Sequence, residues 1–168
     1  MVSIRPITPN DTDKIIAWRN NPRVRRNFID QNLLTKEIHT RWLETVVNTG
    51  KAEQFIIEAD GTGVGSVFLR DIDNAHKKAE FGIFIGEDGY AGKGVGTEAA
   101  RKILEYAFDS IGLNKVFLRV LADNAAAIRS YEKCGFVREG CFREDVIAGG
   151  QFRDVVFMSM LKSDFKKN

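Results

Sequence analysis

The run Tyr90-Ala91-Gly92-Lys93-Gly94-Val95-Gly96-Thr97-Glu98-Ala99 decides how this chain is read. With Gly86 and Gly89 just upstream, five glycines fall within eleven residues. The apolar pairs Ala99/Ala100, Ile103/Leu104 and Ala107/Phe108 then recur at helical spacing. A strand pattern, Ala79 to Ile85, comes before them. Strand, glycine loop and helix in that order expose backbone N–H groups at a helix N-terminus, where unpaired donors and the positive end of the dipole favour a phosphate. A side chain at Gly94 or Gly96 would obstruct that approach. The competing reading is a flexible turn that merely reverses the chain.

Two familiar phosphate patterns can be tested against the run. A nucleotide-triphosphate loop needs Gly-x-x-x-x-Gly-Lys-[Ser/Thr], but Glu87 stands five before Gly92 and Gly94 follows Lys93, so it fails twice. A dinucleotide loop, Gly-x-Gly-x-x-[Gly/Ala], does fit Gly94 to Ala99, with Asp123 beyond the next strand as a ribose ligand for NAD(P). Against it, the strands upstream look antiparallel, and too little chain follows Asp123 for a second mononucleotide half.

Working outward, Val2, Ile4 and Ile7 predict a first strand. Asn10 or Asp11 can cap a helix carrying Ile15, Ile16 and Trp18, which Pro22 ends. Thr35 caps a second helix with Ile38, Trp42, Leu43, Val46 and Val47 on one face, closed by Gly50. Phe55 to Ala59 and Val64 to Arg70 read as strands joined by a hairpin turn at Asp60-Gly61-Thr62-Gly63. Downstream come a strand from Lys115 to Leu121, a helix from an Asn124 cap to Lys133, and strands from Val137 to Phe142 and Phe152 to Met160. The pattern predicts an α/β, mixed α+β fold: one sheet with helices on both faces, forming a single domain over 1–168.

Bulk properties narrow the function classes. The 168 residues are 43% hydrophobic, which suits one full core. A net charge of +2 from 25 basic and 23 acidic residues gives no chain-wide field toward nucleic acid or anionic lipid. No basic flank with an apolar run opens the chain, and no stretch reaches the roughly 20 apolar residues of a membrane span. A cytoplasmic location is therefore expected. Cys134 and Cys141 sit in no Cys-x-x-Cys or Cys/His cluster, so reduced thiols and no metal are expected. His39 and His76 read as ordinary surface or partly buried histidines.

The 90–99 run resembles the pyrophosphate loop of the GNAT N-acetyltransferase superfamily, Gln/Arg-x-x-Gly-x-Gly/Ala before a helix, departing from it at Ala91. The stretch from Asp123 to Phe136 resembles that superfamily's Asn-x-x-Ala-x-x-x-Tyr-x-x-x-Gly-Phe helix. Trp18-Arg19-Asn20, His39-Thr40-Arg41-Trp42 and Gly150-Gln151-Phe152-Arg153-Asp154 resemble the branch with ribosomal-protein alanine, polyamine and amino-sugar acetyltransferases. The resemblance implies a mostly antiparallel sheet and acetyl-CoA as co-substrate. It implies pyrophosphate on Gly92, Lys93, Gly94, Val95, Gly96 and Thr97, and the thioester carbonyl at a backbone N–H around Ile83, Phe84 and Ile85, where strands splay. Asn124 would contact the pantetheine arm as well as cap its helix. Tyr131 would protonate the departing thiolate; its competing reading is a packed aromatic.

Acetyl transfer also needs an uncharged amine. Glu80, alternating with Ala79 and Phe81, is the expected general base if burial raises its pKa; the alternative is a solvated edge glutamate paired with Lys77 or Lys78. The segment after the first helix is implied to wall the acceptor groove. Its Trp18, Arg19, Asn20, Arg23 and Arg26, with Arg25 beside them, favour an acceptor bearing phosphate or carboxylate. A nucleotide-linked amino sugar or a protein N-terminus fits better than a polyamine. The bland alternative is a solvated basic turn. Neither monomer nor homodimer is excluded, and a non-catalytic acyl-CoA sensor stays open, although it would have no need of Tyr131.

Overall fold

The computed structural model describes residues 1–165; the last three residues of the expected 1–168 domain lie outside the described residues. β1 (Val2–Pro6) pairs antiparallel with β2 (Glu53–Ala59), and β2 with β3 (Thr62–Asp73). The hairpin between β2 and β3 is tighter than expected. Only Asp60 and Gly61 turn the chain, both at positive φ (51° and 78°), which suits a two-residue turn between right-twisting strands. β4 (Lys78–Ile85) pairs antiparallel with β3, and Gly65 lies so close to the Phe84 carbonyl that no Cβ fits there. β5 (Lys115–Leu121), β6 (Val137–Ala148) and β7 (Gln151–Leu161) complete a seven-stranded sheet in the order β1-β2-β3-β4-β5-β7-β6. Only β4 and β5 run parallel.

That topology removes the dinucleotide reading, which needs a parallel sheet. Asp123, its would-be ribose ligand, is instead held by Arg153 of β7.

α4 (Val95–Glu105) and α5 (Ala125–Lys133) cover one face. The predicted stripe of α4 and its continuation (Ala99, Ala100, Ile103, Leu104, Ala107, Phe108) is wholly buried. Each of its larger side chains contributes roughly 1.5–3 kcal/mol by leaving water. The other face takes α1 (Thr12–Asn20), α2 (Pro22–Arg25) and α3 (Lys36–Trp42). Here local details differ from expectation. Asp11 does not cap α1 with its side chain; it accepts from the Thr8 amide and from Arg5, whose hydrogen bond leads in pulling its pKa to about 2. Pro22 does not merely end a helix; it opens α2, capped by Asn21.

Thr35 caps α3 as expected, yet Ile38 faces solvent and His39 is buried, with Nδ1 3.1 Å from Thr12 Oγ1. The wide i→i+5 turn after Trp42, closed by Asn48 N–H on Leu43 O, changes the helical phase at that point. The β6–β7 hairpin extends well past the predicted strands to a turn at Gly149 and Gly150. α6 (Lys162–Phe165) packs Phe165 on Phe108. Among the described residues no helix is long and apolar enough to cross a membrane.

Candidate active site

The parallel pairing of β4 with β5 covers only Lys78–Glu80 against Lys115–Phe117; beyond Glu80 the strands part. From Phe81 onward one edge of β4 is therefore open. The Gly86 N–H donates to Val64 O (2.8 Å) on the β3 side. Strand alternation accordingly turns the Phe84 amide toward β3 and the Ile83 and Ile85 amides toward the gap. This corrects the expectation for Phe84: its side chain is buried against Trp18 and Phe28, and its amide belongs to the sheet. Ile85 keeps an amide facing the opening.

At the head of the gap stands the N-terminus of α4. Gly94 precedes it in the left-handed conformation (φ 80°), as does Gly92 (φ 74°), and a Cβ on either would meet nothing within 4 Å. The space before the helix is open. Glu98 N–H bonds to Gly94 O (3.1 Å), so the amides of Val95, Gly96 and Thr97 have no helical partner. Gly96 is helical, and a Cβ there would lie against Ile83 and Ile85 at the edge of the gap. Lys93 is held near the ring of Tyr90, 6.0 Å from its centroid. A free donor array, a positive dipole end and open volume together suit a pyrophosphate.

Tyr131 packs edge-on to Phe81 (centroids 6.0 Å, 90°), the first β4 residue beyond the parallel pairing, and against Phe136. Burial, with a smaller contribution from Cys134, pushes its phenol up to about 12, so it holds its proton through neutral pH. Asn124 caps α5 by accepting from the Ala127 amide (3.2 Å), which leaves its side-chain nitrogen free to donate.

The opposite face of the sheet departs furthest from expectation. Glu80 is buried (3% exposed) and grips two arginines, Arg70 of β3 (2.9 Å) and Arg119 of β5 (2.9 Å). Burial alone would push its carboxyl up; the hydrogen bonds and charges of Arg70 and Arg119 outweigh that and hold it below the usual glutamate range. The expected raised pKa is thus reversed, and so is the alternative pairing with Lys77 or Lys78. Glu80 is an ionised anchor, not a base poised near neutrality.

Trp18 and Asn20 do not wall a groove either. Trp18 lies under Gly86, where no Cβ would fit, and its Nε1 donates to Glu87 (2.8 Å). Asn20 bonds both backbone groups of Leu34. Arg23 pairs with Asp88 and donates to the carbonyls of Ile85 and Gly86, while Arg26 is exposed.

Arg19 differs from these: its Nη1 is buried without a partner, and the guanidinium lies 3.5 Å from the Phe28 ring centroid. Desolvation lowers its pKa to about 10, Asp30 raising it and Arg70 lowering it, so it stays charged at neutral pH. Arg70 and Arg119 were not anticipated. Nothing local marks them, and only the register of β3 and β5 against β4 brings them to Glu80.

An open donor array beside splayed strands, with the Tyr131 ring packed where they part, suits an acyltransferase that uses a phosphate-bearing acyl carrier. The chain belongs to the GNAT acetyltransferases: residues 2–137 match the family model described as an acetyltransferase (GNAT) domain. It is 30% identical over 173 residues to a spermidine N(1)-acetyltransferase of Escherichia coli K12, covering 98% of this chain and 88% of that one. A spermidine N(1)-acetyltransferase of Vibrio cholerae is 33% identical over 71% of this chain and 69% of its own. The crystal structure of spermidine N-acetyltransferase from Vibrio cholerae with CoA and spermine superposes with a TM-score of 0.92 at 27% identity, covering 98% of each chain. The chain is an acetyl-CoA-dependent N-acetyltransferase with the GNAT fold.

Proposed function

We propose that the chain acetylates a primary amine on a molecule that also carries a phosphate or carboxylate. A nucleotide-linked amino sugar ranks first, a protein N-terminus second and a polyamine last. One observation carries this reading: the Arg19 guanidinium is desolvated, charged and without a protein acceptor for Nη1. An uncompensated cation of that kind is costly unless a ligand anion completes it. Asp30 acts on Arg19, and Glu80, Asp71 and Asp145 act on Arg119, so the nearby carboxylates offset the arginines in sum and it is the Nη1 donor itself that lacks an acceptor.

Acetyl-CoA supplies an activated thioester when bound. The residues that would serve it are the amides of Gly92 to Thr97 for pyrophosphate, Asn124 for the pantetheine arm and the Ile85 amide for the thioester oxygen. The amine forms a new N–C bond in a ternary complex as the C–S bond breaks. Tyr131, still protonated at neutral pH, gives its proton to the departing sulfur, and the amine proton leaves to solvent. Two arginines lower the proton affinity of Glu80 and make it a weak base, so in this reading the amine arrives in its neutral form.

The polyamine reading draws support from the spermidine acetyltransferases to which the chain is similar. CoA release measured across nucleotide amino sugars, amino sugars, peptides beginning with Ala or Ser, and spermidine separates the readings. We expect the highest kcat/KM on an anionic amine; spermidine as the best acceptor would overturn the ranking. The donor side has its own test in Gly94→Val, which forces a β-branched residue into the left-handed region at the phosphate cradle. Acetyl-CoA affinity should fall at least about tenfold, roughly 1.4 kcal/mol. An unchanged Kd in the folded variant removes the pyrophosphate from this loop.

A further inference from the structure

The two peptide planes that join β4 to the glycine loop are held on both sides. The N–H groups of Gly86 and Glu87 both donate to Val64 O, at 2.8 and 3.1 Å. The carbonyls of those same peptide units, Ile85 O and Gly86 O, both accept from Arg23 Nη2, at 3.3 and 3.0 Å. Arg23 comes from α2, more than sixty residues away in sequence. Its Nε takes Asp88 at 2.5 Å, and beside it Trp18 takes Glu87. Two acidic side chains directly ahead of the phosphate cradle are thereby drawn to the α1–α2 side.

We infer that Arg23 is a positioning residue for the donor: it fixes the backbone on which the Ile85 amide and the glycine loop depend, and it holds Asp88 away from the bound phosphates. A guanidinium suits this task, because one planar fork reaches two carbonyls and a carboxylate together, whereas an ammonium is a single point donor. In the sequence pattern Arg23 belongs to a cluster directed at the acceptor; in the fold its guanidinium is spent on Asp88 and on the Ile85 and Gly86 carbonyls. It rests on the placement of pyrophosphate at the α4 N-terminus.

The test is the equilibrium Kd for acetyl-CoA, by calorimetry, in Arg23→Ala, Arg23→Lys, Asp88→Asn and the double variant Arg23→Ala/Asp88→Asn, with Gly94→Val as reference. Arg23→Ala should weaken acetyl-CoA about tenfold, since two carbonyls lose a charged donor and Asp88 is freed toward the phosphates. Arg23→Lys should recover little of that. The double variant should recover a clear part of the loss, which a purely structural defect would not allow, while Asp88→Asn alone should bind nearly as wild type. An unchanged Kd in folded Arg23→Ala, or in Arg23→Lys where the alanine variant does not fold, overturns the inference; so does a double variant no better than the single one. A Gly94→Val protein that loses acetyl-CoA beside an Arg23→Ala protein that does not leaves the loop assignment standing and removes this role alone.

Discussion

The half of this molecule proposed to hold the donor and the half proposed to take the acceptor are built by different means. On the donor side, β4, the glycine loop and α4 follow one another in sequence, as do β5, the Asn124 cap and α5. Their working groups are mostly backbone amides at turns that glycine and asparagine specify locally. The face proposed for the acceptor instead depends on side chains matched across distant strands: Glu80 meets Arg70 ten residues before it and Arg119 thirty-nine after it. Backbone function travels with a local motif, whereas side-chain function depends on partners that only the completed sheet supplies.

By that contrast, the largest single effect belongs to the donor side. Tyr131→Phe keeps the ring against Phe81 and Phe136 and removes only the phenol proton. Turnover should drop by roughly 10²- to 10⁴-fold with acetyl-CoA affinity unchanged. Steady-state kinetics beside a binding isotherm decide it, and wild-type turnover would reduce Tyr131 to a packing residue.

On the acceptor face, Glu80→Gln should act first on stability. It strands two partly exposed arginines around a buried site, and because solvent screens them the loss near neutral pH should fall below the about 3–5 kcal/mol of a fully buried pair. The sign with pH follows from linkage. The folded carboxyl lies below its ordinary value, so its contribution is complete above roughly pH 4.3 and disappears as the pH falls through the folded value. Denaturant midpoints of wild type and variant should converge in acid and stay apart from pH 6 to 8. A variant as stable as wild type, yet slow until high pH supplies free amine, would return Glu80 to the role of base.

The same contrast explains which parts of the chain were legible. The bounds of β5 and the Asn124 and Thr35 caps follow from residues adjacent to them, and the α4 stripe from its own spacing. Trp18, Asn20 and Arg23 lie in a segment whose composition suggested a binding wall, but tertiary contacts claim all three: Glu87, the Leu34 backbone, and Asp88 with two carbonyls. Burial of Glu80 could be read from its apolar strand; the direction of its pKa could not. Desolvation was visible in the alternation of residues, but the two arginines that overrule it were not.

The smallest expected effects lie within the arginine cluster and test it from inside. Arg19 and Arg26 are seven positions apart in one basic stretch, yet Arg19 is desolvated against Phe28 with an unused donor and Arg26 is exposed. A charge-assisted hydrogen bond from a desolvated guanidinium contributes about 1.5–3 kcal/mol, so Arg19→Ala should raise the KM of the best anionic acceptor about tenfold and spare acetyl-CoA. An exposed charge contributes at most about 1 kcal/mol, so Arg26→Ala should raise that KM roughly twofold. Salt separates the two mechanisms. Raising ionic strength from about 0.1 M to about 1 M shortens the screening length from roughly 10 to 3 Å, which should erase the Arg26 effect and leave most of the Arg19 effect. Equal, salt-sensitive effects at both positions would make the cluster a diffuse basic surface. No effect at Arg19 on any anionic acceptor would leave its buried charge without a ligand and the acceptor ranking without its support.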